Sequence, residues 1–279
     1  MTLESSYAYC KQVARSRARN FYYSFLLLPE QKRLAMCAVY AFMRECDDRS
    51  DGPGASPEKV EQWRTDLDSA LAGEAPGHPV WPAFVDTAQR YGIPAQYFHE
   101  MIDGVASDFE SRAIVTFDDL YRYCYRVASV VGLTIIHIFG FENPHALELA
   151  EKCGIAFQLT NILRDVREDA AAGRVYLPAD DLRRFGVTSA QFDQPLLTPG
   201  LRSLLEFELR RAREYYDASK PLIAMVEKDS RSALWALIEI YRRLLERIEA
   251  QGYPVLERRV RVPAIEKVWI VLRASAGFC

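Results

Sequence analysis

Apolar positions recur with a helical period along nearly the whole chain. Leu34, Cys37, Val39, Ala41 and Phe42 return every few residues until Gly52-Pro53-Gly54 stops the run. Ser56-Pro57-Glu58 restarts a helix, with proline just inside it, that reaches Leu71. After a Gly/Pro loop at 73–82, helices are predicted over 82–91 and, past Gly92-Ile93-Pro94, over 95–110. Thr116-Phe117-Asp118-Asp119 opens the next, at 118–139. Asn143-Pro144 leads into a central helical stretch, directly or through a short helix, and Pro178 closes that region. A short helix over Asp180–Phe185 ends at Gly186, and 188–200 reads as a loop with a short helical piece. Long helices follow at 201–226 and 229–251, and Pro263 begins a last one, Ala264–Ala276. At the other end a helical pattern covers 3–20. The apolar run Phe21–Leu28, closed by Pro29, fits a strand or a buried helix equally well. With no alternating strand pair, internal repeat or linker, the expectation is one all-α domain over 1–279, of roughly ten helices.

Composition narrows the class. A hydrophobic share of 49% with 26% charged residues is that of a globular protein with a sizeable core. The net charge of −3 argues against a nucleic-acid surface. Six cysteines without a C-x-x-C pair read as reduced thiols of a cytoplasmic protein rather than a disulfide framework or zinc site. No secretory h-region and no run of eighteen apolar residues is present.

Within this helical pattern, two polar ladders stand out. On a helix, Asn161, Asp165 and Asp169 stack at successive i, i+4 positions beside the apolar stripe Ile155, Leu159, Ile162 and Val166. Earlier, Tyr40, Arg44, Asp47 and Asp51 share one side of a helix, with Asp48 about 100° away. Either ladder alone would pass for a solvated helix face. The earlier one, however, sits at a helix C-terminus, where the dipole disfavours anions. Two such ladders suit one task together. Aspartate oxygens are hard ligands, and Mg²⁺ takes oxygen donors, keeps waters and is often completed by substrate phosphates. A Mg²⁺ cluster around a diphosphate would stabilise charge building on that group as it leaves. No nucleophile is required, and none is apparent: G-x-S-x-G is absent and the four histidines are scattered.

At these residues the chain resembles the squalene/phytoene synthase family, the head-to-head trans-isoprenyl diphosphate synthases. QLTNILRDVREDAAAGRVYLP resembles the family's second aspartate-rich signature, and DDRSD, led by YAFMRECDD, resembles the first. RNFYYSFLLLP and YCYRVASVVG extend the likeness over most of the chain. The resemblance implies an all-α isoprenoid synthase fold around a central apolar cavity that binds two prenyl diphosphates. It implies Mg²⁺, or Mn²⁺, on Asp47, Asp51, Asn161, Asp165 and Asp169. Arg44 and Arg164 would contact diphosphate, with Asp48, Glu168, Gln158, Asn20 and Phe21 also near substrate. Tyr40, Tyr123, Tyr176 and Tyr241 match cavity tyrosines, whose rings can stabilise a carbocation.

Asn20 replaces a frequent small hydroxyl residue, Arg49-Ser50 replaces a hydrophobic position in the first motif, and Arg167 stands where glycine is frequent. The expected reaction joins two farnesyl diphosphates to presqualene diphosphate, and continues to squalene if NADPH delivers hydride. The alternative joins two geranylgeranyl diphosphates to 15-cis-phytoene. A head-to-tail elongase or terpene cyclase would repeat D-D-x-x-D where this chain has N-x-x-x-D-x-x-x-D, and a non-catalytic assembly protein would be expected to lose these carboxylates. The patch Arg258-Arg259-Val260-Arg261 reads first as a solvated charge run. Val268–Leu272 in the last helix suggests either peripheral membrane contact or plain core. Oligomeric state is not legible.

Overall fold

The computed structural model describes residues 1–18, 21–51, 54–109 and 113–277. Its helices are α1 (Leu3–Arg17), α2 (Phe21–Phe25), α3 (Glu30–Asp51), α4 (Pro57–Leu71), α5 (Trp81–Arg90), α6 (Ala95–Ala106) and α7 (Phe117–Cys124). There follow α8 (Val130–Phe139), α9 (His145–Ala171), α10 (Ala179–Arg184), α11 (Pro199–Ser219), α12 (Leu222–Met225), α13 (Lys228–Ala250) and α14 (Ala264–Ser275). Among the described residues the only β pairing is the isolated bridge Phe141–Val226, so the all-α expectation holds.

Helix starts are written locally. Ser56 accepts from the Lys59 amide with Pro57 at the first turn, and Thr116 and Asp119 form a reciprocal capping box. The run after residue 20 is helical rather than extended, because α2 docks on α13 and α14. Among the described residues fourteen α-helical segments stand against roughly ten expected; α2 adds one, and two long helices are each broken in two. Pro221 has no N–H to continue the expected 201–226 helix, which divides into α11 and α12. The expected 118–139 helix is interrupted by a π-turn at Tyr125–Ser129.

The long helix α9 runs through the centre. Its stripe Ile155, Leu159, Ile162 and Val166 is buried, as are Ala156, Thr160 and Leu163. Two glycines let α9 meet the π-turn and α8 backbone to backbone. A Cβ on Gly154 would fall 2.5 Å from Ser129 Cα, and one on Gly132 would fall 3.0 Å from the Ala150 carbonyl oxygen. On one flank an aromatic cluster ties α3 to α4, α5 and α6; Phe42 stacks on Phe84 at 4.3 Å and Trp63 lies 4.4 Å from Trp81. On another, Lys32 of α3 donates to Glu227 (2.7 Å), Asp229 (2.6 Å), Ser230 (3.0 Å) and the Phe139 carbonyl (3.0 Å), which staples three helix ends. Cys10, Cys37, Cys46, Cys124 and Cys153 are buried free thiols.

Candidate active site

A cavity of about 460 Å³ opens between α3, the π-turn and α8, α9 and α13. Along α9 its lining passes from Ala150, Cys153 and Gly154 through Phe157 to Gln158, Asn161 and Arg164. That gradient covers fifteen residues of helix, ~21 Å from first to last, from apolar to polar. The other walls repeat it: Leu234 and Leu237 precede Tyr241 on α13, while Ile135, Ile136, Val131 and Val127 supply apolar surface. Tyr40, Arg44 and Asp47 of α3 and Arg17 of α1 complete the polar lining.

A second hollow, about 170 Å³, shares Met43, Asp47, Val127 and Val131 with the first. Tyr123, Arg126 and Met101 also line it. Tyr176, from the segment before α10, stacks on Tyr123 at 4.7 Å and 21°. Phe157 and Tyr241 stack in the main cavity at 4.3 Å.

Charge at the polar end is distributed unevenly. Arg44 donates to Asp48, lies 4.0 Å from Asp47, and leaves its buried Nε without a partner. Arg17 lies 3.9 Å from Asp48. Arg164 donates to Asp165 through Nε at 2.7 Å, and Arg259 reaches the same carboxylate from the segment after α13. Asp169, one turn further on, is pushed up to about 7 by burial, then by the neighbouring Asp165 and Glu168. The buried Asn161 Oδ1 has no hydrogen-bond partner. Burial holds the Tyr40 phenol up at about 12 and raises Tyr241 too, so both stay neutral donors.

The structure thus gathers Tyr40, Arg44, Asp47, Gln158, Asn161, Arg164 and Tyr241 around one cavity. Tyr123 and Tyr176 meet at the second hollow, and Asp48 and Asp165 attach through arginines. Glu168 is exposed, off the lining. Phe21 and Asp51 take helical backbone places, but their side chains, like all of Asn20, lie outside the described residues. Two contributors escaped sequence reasoning. Arg17 joins the lining from α1, and Arg259, from an apparently solvated basic run, pairs with Asp165. Neither has a local signal, since each partner is far away in the chain.

The donor set has the chemistry of a hard divalent cation. Carboxylate and amide oxygens, one of them buried and unpartnered, lie beside an acidic pair under-compensated enough to lift Asp169. Among the described residues no three acidic, His or Cys side chains converge into a closed cage. An open set of this kind suits Mg²⁺, which draws its remaining ligands from water and phosphate.

An all-α bundle enclosing a cavity graded from arginine and aspartate to aliphatic wall is the architecture of a prenyltransferase. Residues 7–266 match the family model for squalene/phytoene synthase, and the chain belongs to that family of head-to-head prenyltransferases. It is 38% identical to a phytoene synthase of Arthrospira platensis, over 96% of this chain and 91% of the relative. A dehydrosqualene synthase crystal structure superposes with a TM-score of 0.92 at 31% identity, covering 99% of this chain and 97% of the other. Squalene synthase HpnC from Alicyclobacillus acidocaldarius gives 0.84 at 28%, covering 90% and 95%.

Proposed function

We propose that this enzyme joins two geranylgeranyl diphosphates head to head to give phytoene. The observation that carries the reading is the pair of hollows sharing Met43, Asp47, Val127 and Val131, beside one arginine-rich end. Two prenyl chains can lie on either side of that wall with their diphosphate ends close together. The C20 substrate is favoured over C15 by the 38% identity to a phytoene synthase, against 31% and 28% for the dehydrosqualene and squalene synthases.

Mg²⁺ on Asp47, Asp51, Asn161, Asp165 and Asp169 would supply Lewis-acid stabilisation of charge on the departing diphosphate. Arg44 and Arg164 present guanidinium N–H groups to its oxygens, a geometry that favours bidentate phosphate contact. Once diphosphate leaves, the allylic cation needs negative potential without a nucleophile. The stacked faces of Tyr123 and Tyr176 offer that, and the neutral phenols of Tyr40 and Tyr241 do not attack it. Val127, Val131, Ile136, Leu234 and Leu237 exclude water that would quench it. The second molecule's double bond attacks the cation, and proton loss closes a cyclopropylcarbinyl diphosphate. A second ionisation, rearrangement and proton loss give phytoene without a reductant.

The 0.92 superposition on a dehydrosqualene synthase favours a second reading, in which two farnesyl diphosphates give presqualene diphosphate and, with NADPH, squalene. Incubation with Mg²⁺ and each diphosphate, with and without NADPH, read by mass spectrometry, separates the two. Phytoene from geranylgeranyl diphosphate without NADPH is expected. Consumption of farnesyl diphosphate alone would install the second reading, and consumption of neither by folded protein would end both.

A further inference from the structure

Four of the ten large apolar side chains most exposed among the described residues lie on one helix, α14. Ile265 is 81% exposed, Val268 43%, Trp269 60% and Leu272 55%. Their spacing, i, i+3, i+4, i+7, makes them a single stripe along one side of the helix. The opposite side carries Ile270 and Ala274, which are buried against Ala236 and Ile240 of α13 with Tyr23 and Leu27. Helix α14 is therefore apolar on both sides, and the core uses only one of them. Exposed Leu26 directly follows α2, the helix that packs on α14.

We infer that this stripe docks the enzyme on an anionic lipid surface. Charge is the first reason. Arg258, Arg259, Arg261, Lys267 and Arg273 oppose only Glu257 and Glu266 across 257–273, in a chain of net charge −3. Glu266 is itself held by Arg247 at 3.0 Å. Arg273, about a quarter-turn from the stripe, lies over Trp235 at 5.5 Å, where headgroup phosphates would meet it, while Lys267 lies over the Tyr23 ring at 5.7 Å on the packed side of α14. Size is the second. Four side chains on about two helical turns, with Leu26 as a fifth from the segment after α2, fall well short of the ~20–30 residues per side of a stable protein interface, whereas a shallow apolar stripe with an aromatic suits the lipid interface. Position is the third. Arg259, on Asp165 at the cavity's polar end, precedes α14 by only five residues, a reach of at most ~18 Å. The stripe thus begins no more than ~18 Å of chain from the residue that holds Asp165. No helix among the described residues is long and apolar enough to cross a membrane, so the contact is superficial.

The test is co-sedimentation of the whole chain with vesicles of equal parts phosphatidylcholine and phosphatidylglycerol, without substrate or metal, so that it stands apart from the proposed reaction. Wild type is expected to sediment with these vesicles and less with phosphatidylcholine alone. The Ile265→Glu/Trp269→Glu double variant, with helicity verified by circular dichroism, should bind at least ~10-fold more weakly. In the wild-type chain, vesicles with brominated acyl chains should quench Trp269 fluorescence, a readout that needs no variant. Equal recovery in the supernatant with and without vesicles would overturn the inference, as would absent quenching or unchanged binding by the folded variant. A lipid-free dimer that the double variant dissolves would instead assign the stripe to a second copy and overturn it too.

Discussion

Arg259 grips Asp165 with two nitrogens, Nε at 2.8 Å and Nη2 at 2.9 Å, across 94 residues of sequence. With Arg164 on the same carboxylate, two guanidiniums neutralise a group proposed to meet a cation. Arg259 is partly exposed, so the pair is a modest competitor. In Arg259→Ala, half-saturating Mg²⁺ should fall by up to about fivefold in a steady-state titration, since half-exposed pairs contribute at most ~1 kcal/mol. In Asp165→Asn, turnover should drop at least ~100-fold while the urea midpoint moves little. An unchanged Mg²⁺ requirement in the first, or retained turnover in the second, would remove Asp165 from the metal site.

Gly154 tests the close approach behind the cavity. An added methyl would meet Ser129 Cα at 2.5 Å and its backbone nitrogen at 2.8 Å, and backbone cannot swing aside. Gly154→Ala should cost about 2–3 kcal/mol in urea denaturation despite alanine's better helix propensity. Because Gly154 also lines the cavity, the variant should lose turnover under conditions where it is fully folded.

Lys32 is nearly buried and serves four acceptors at once. Lys32→Met keeps the stem and removes the charge, leaving Glu227 and Asp229 close together. The expected loss is about 2–3 kcal/mol, reduced from the fully buried case because both acids are half exposed. Denaturation of the variant beside wild type at one pH measures it.

Glu208 should make stability depend on pH. It is 1% exposed, shares the Arg211 guanidinium with Asp181, and is pushed up to about 7 chiefly by burial. Its folded value lies above the unfolded one, so the folded chain binds the extra proton between about pH 4.5 and 7. The stability it contributes is present below that window and is lost as pH rises through it. Glu208→Gln should flatten the fall in melting temperature over the window. An identical profile would show that Arg211 keeps the carboxylate ionised.

What could be read from the sequence was what is local. The ladder Asn161, Asp165, Asp169 needs only a helix, and α9 provides one. Capping at Ser56 and Thr116 was equally visible. What escaped depends on distant partners. Arg49 looked like a departure within DDRSD, yet its guanidinium lies 3.8 Å over the Trp63 ring and pairs with Glu45. Arg167, in a place where glycine is frequent, donates to the Glu257 carbonyl at 3.2 Å and so steadies the segment that brings Arg259 to Asp165. Neither Trp63 nor Glu257 announces itself as a partner, because side-chain pairing over such separations leaves no periodic trace.

The π-turn at Tyr125–Ser129 carries a further consequence. Such a turn holds one more residue than the α-helix around it, and here it falls where Val127 and Val131 face both hollows. Deleting that one residue would let the turn close to α geometry; the bulge absorbs the extra residue, so α7 and α8 would keep their phase and only the bulged surface would be lost. The surface that Val127 and Val131 give to both hollows would be redrawn locally, although every remaining amino acid was unchanged. On this side of the cavity, shape is encoded by how many residues the helix contains as well as by which ones.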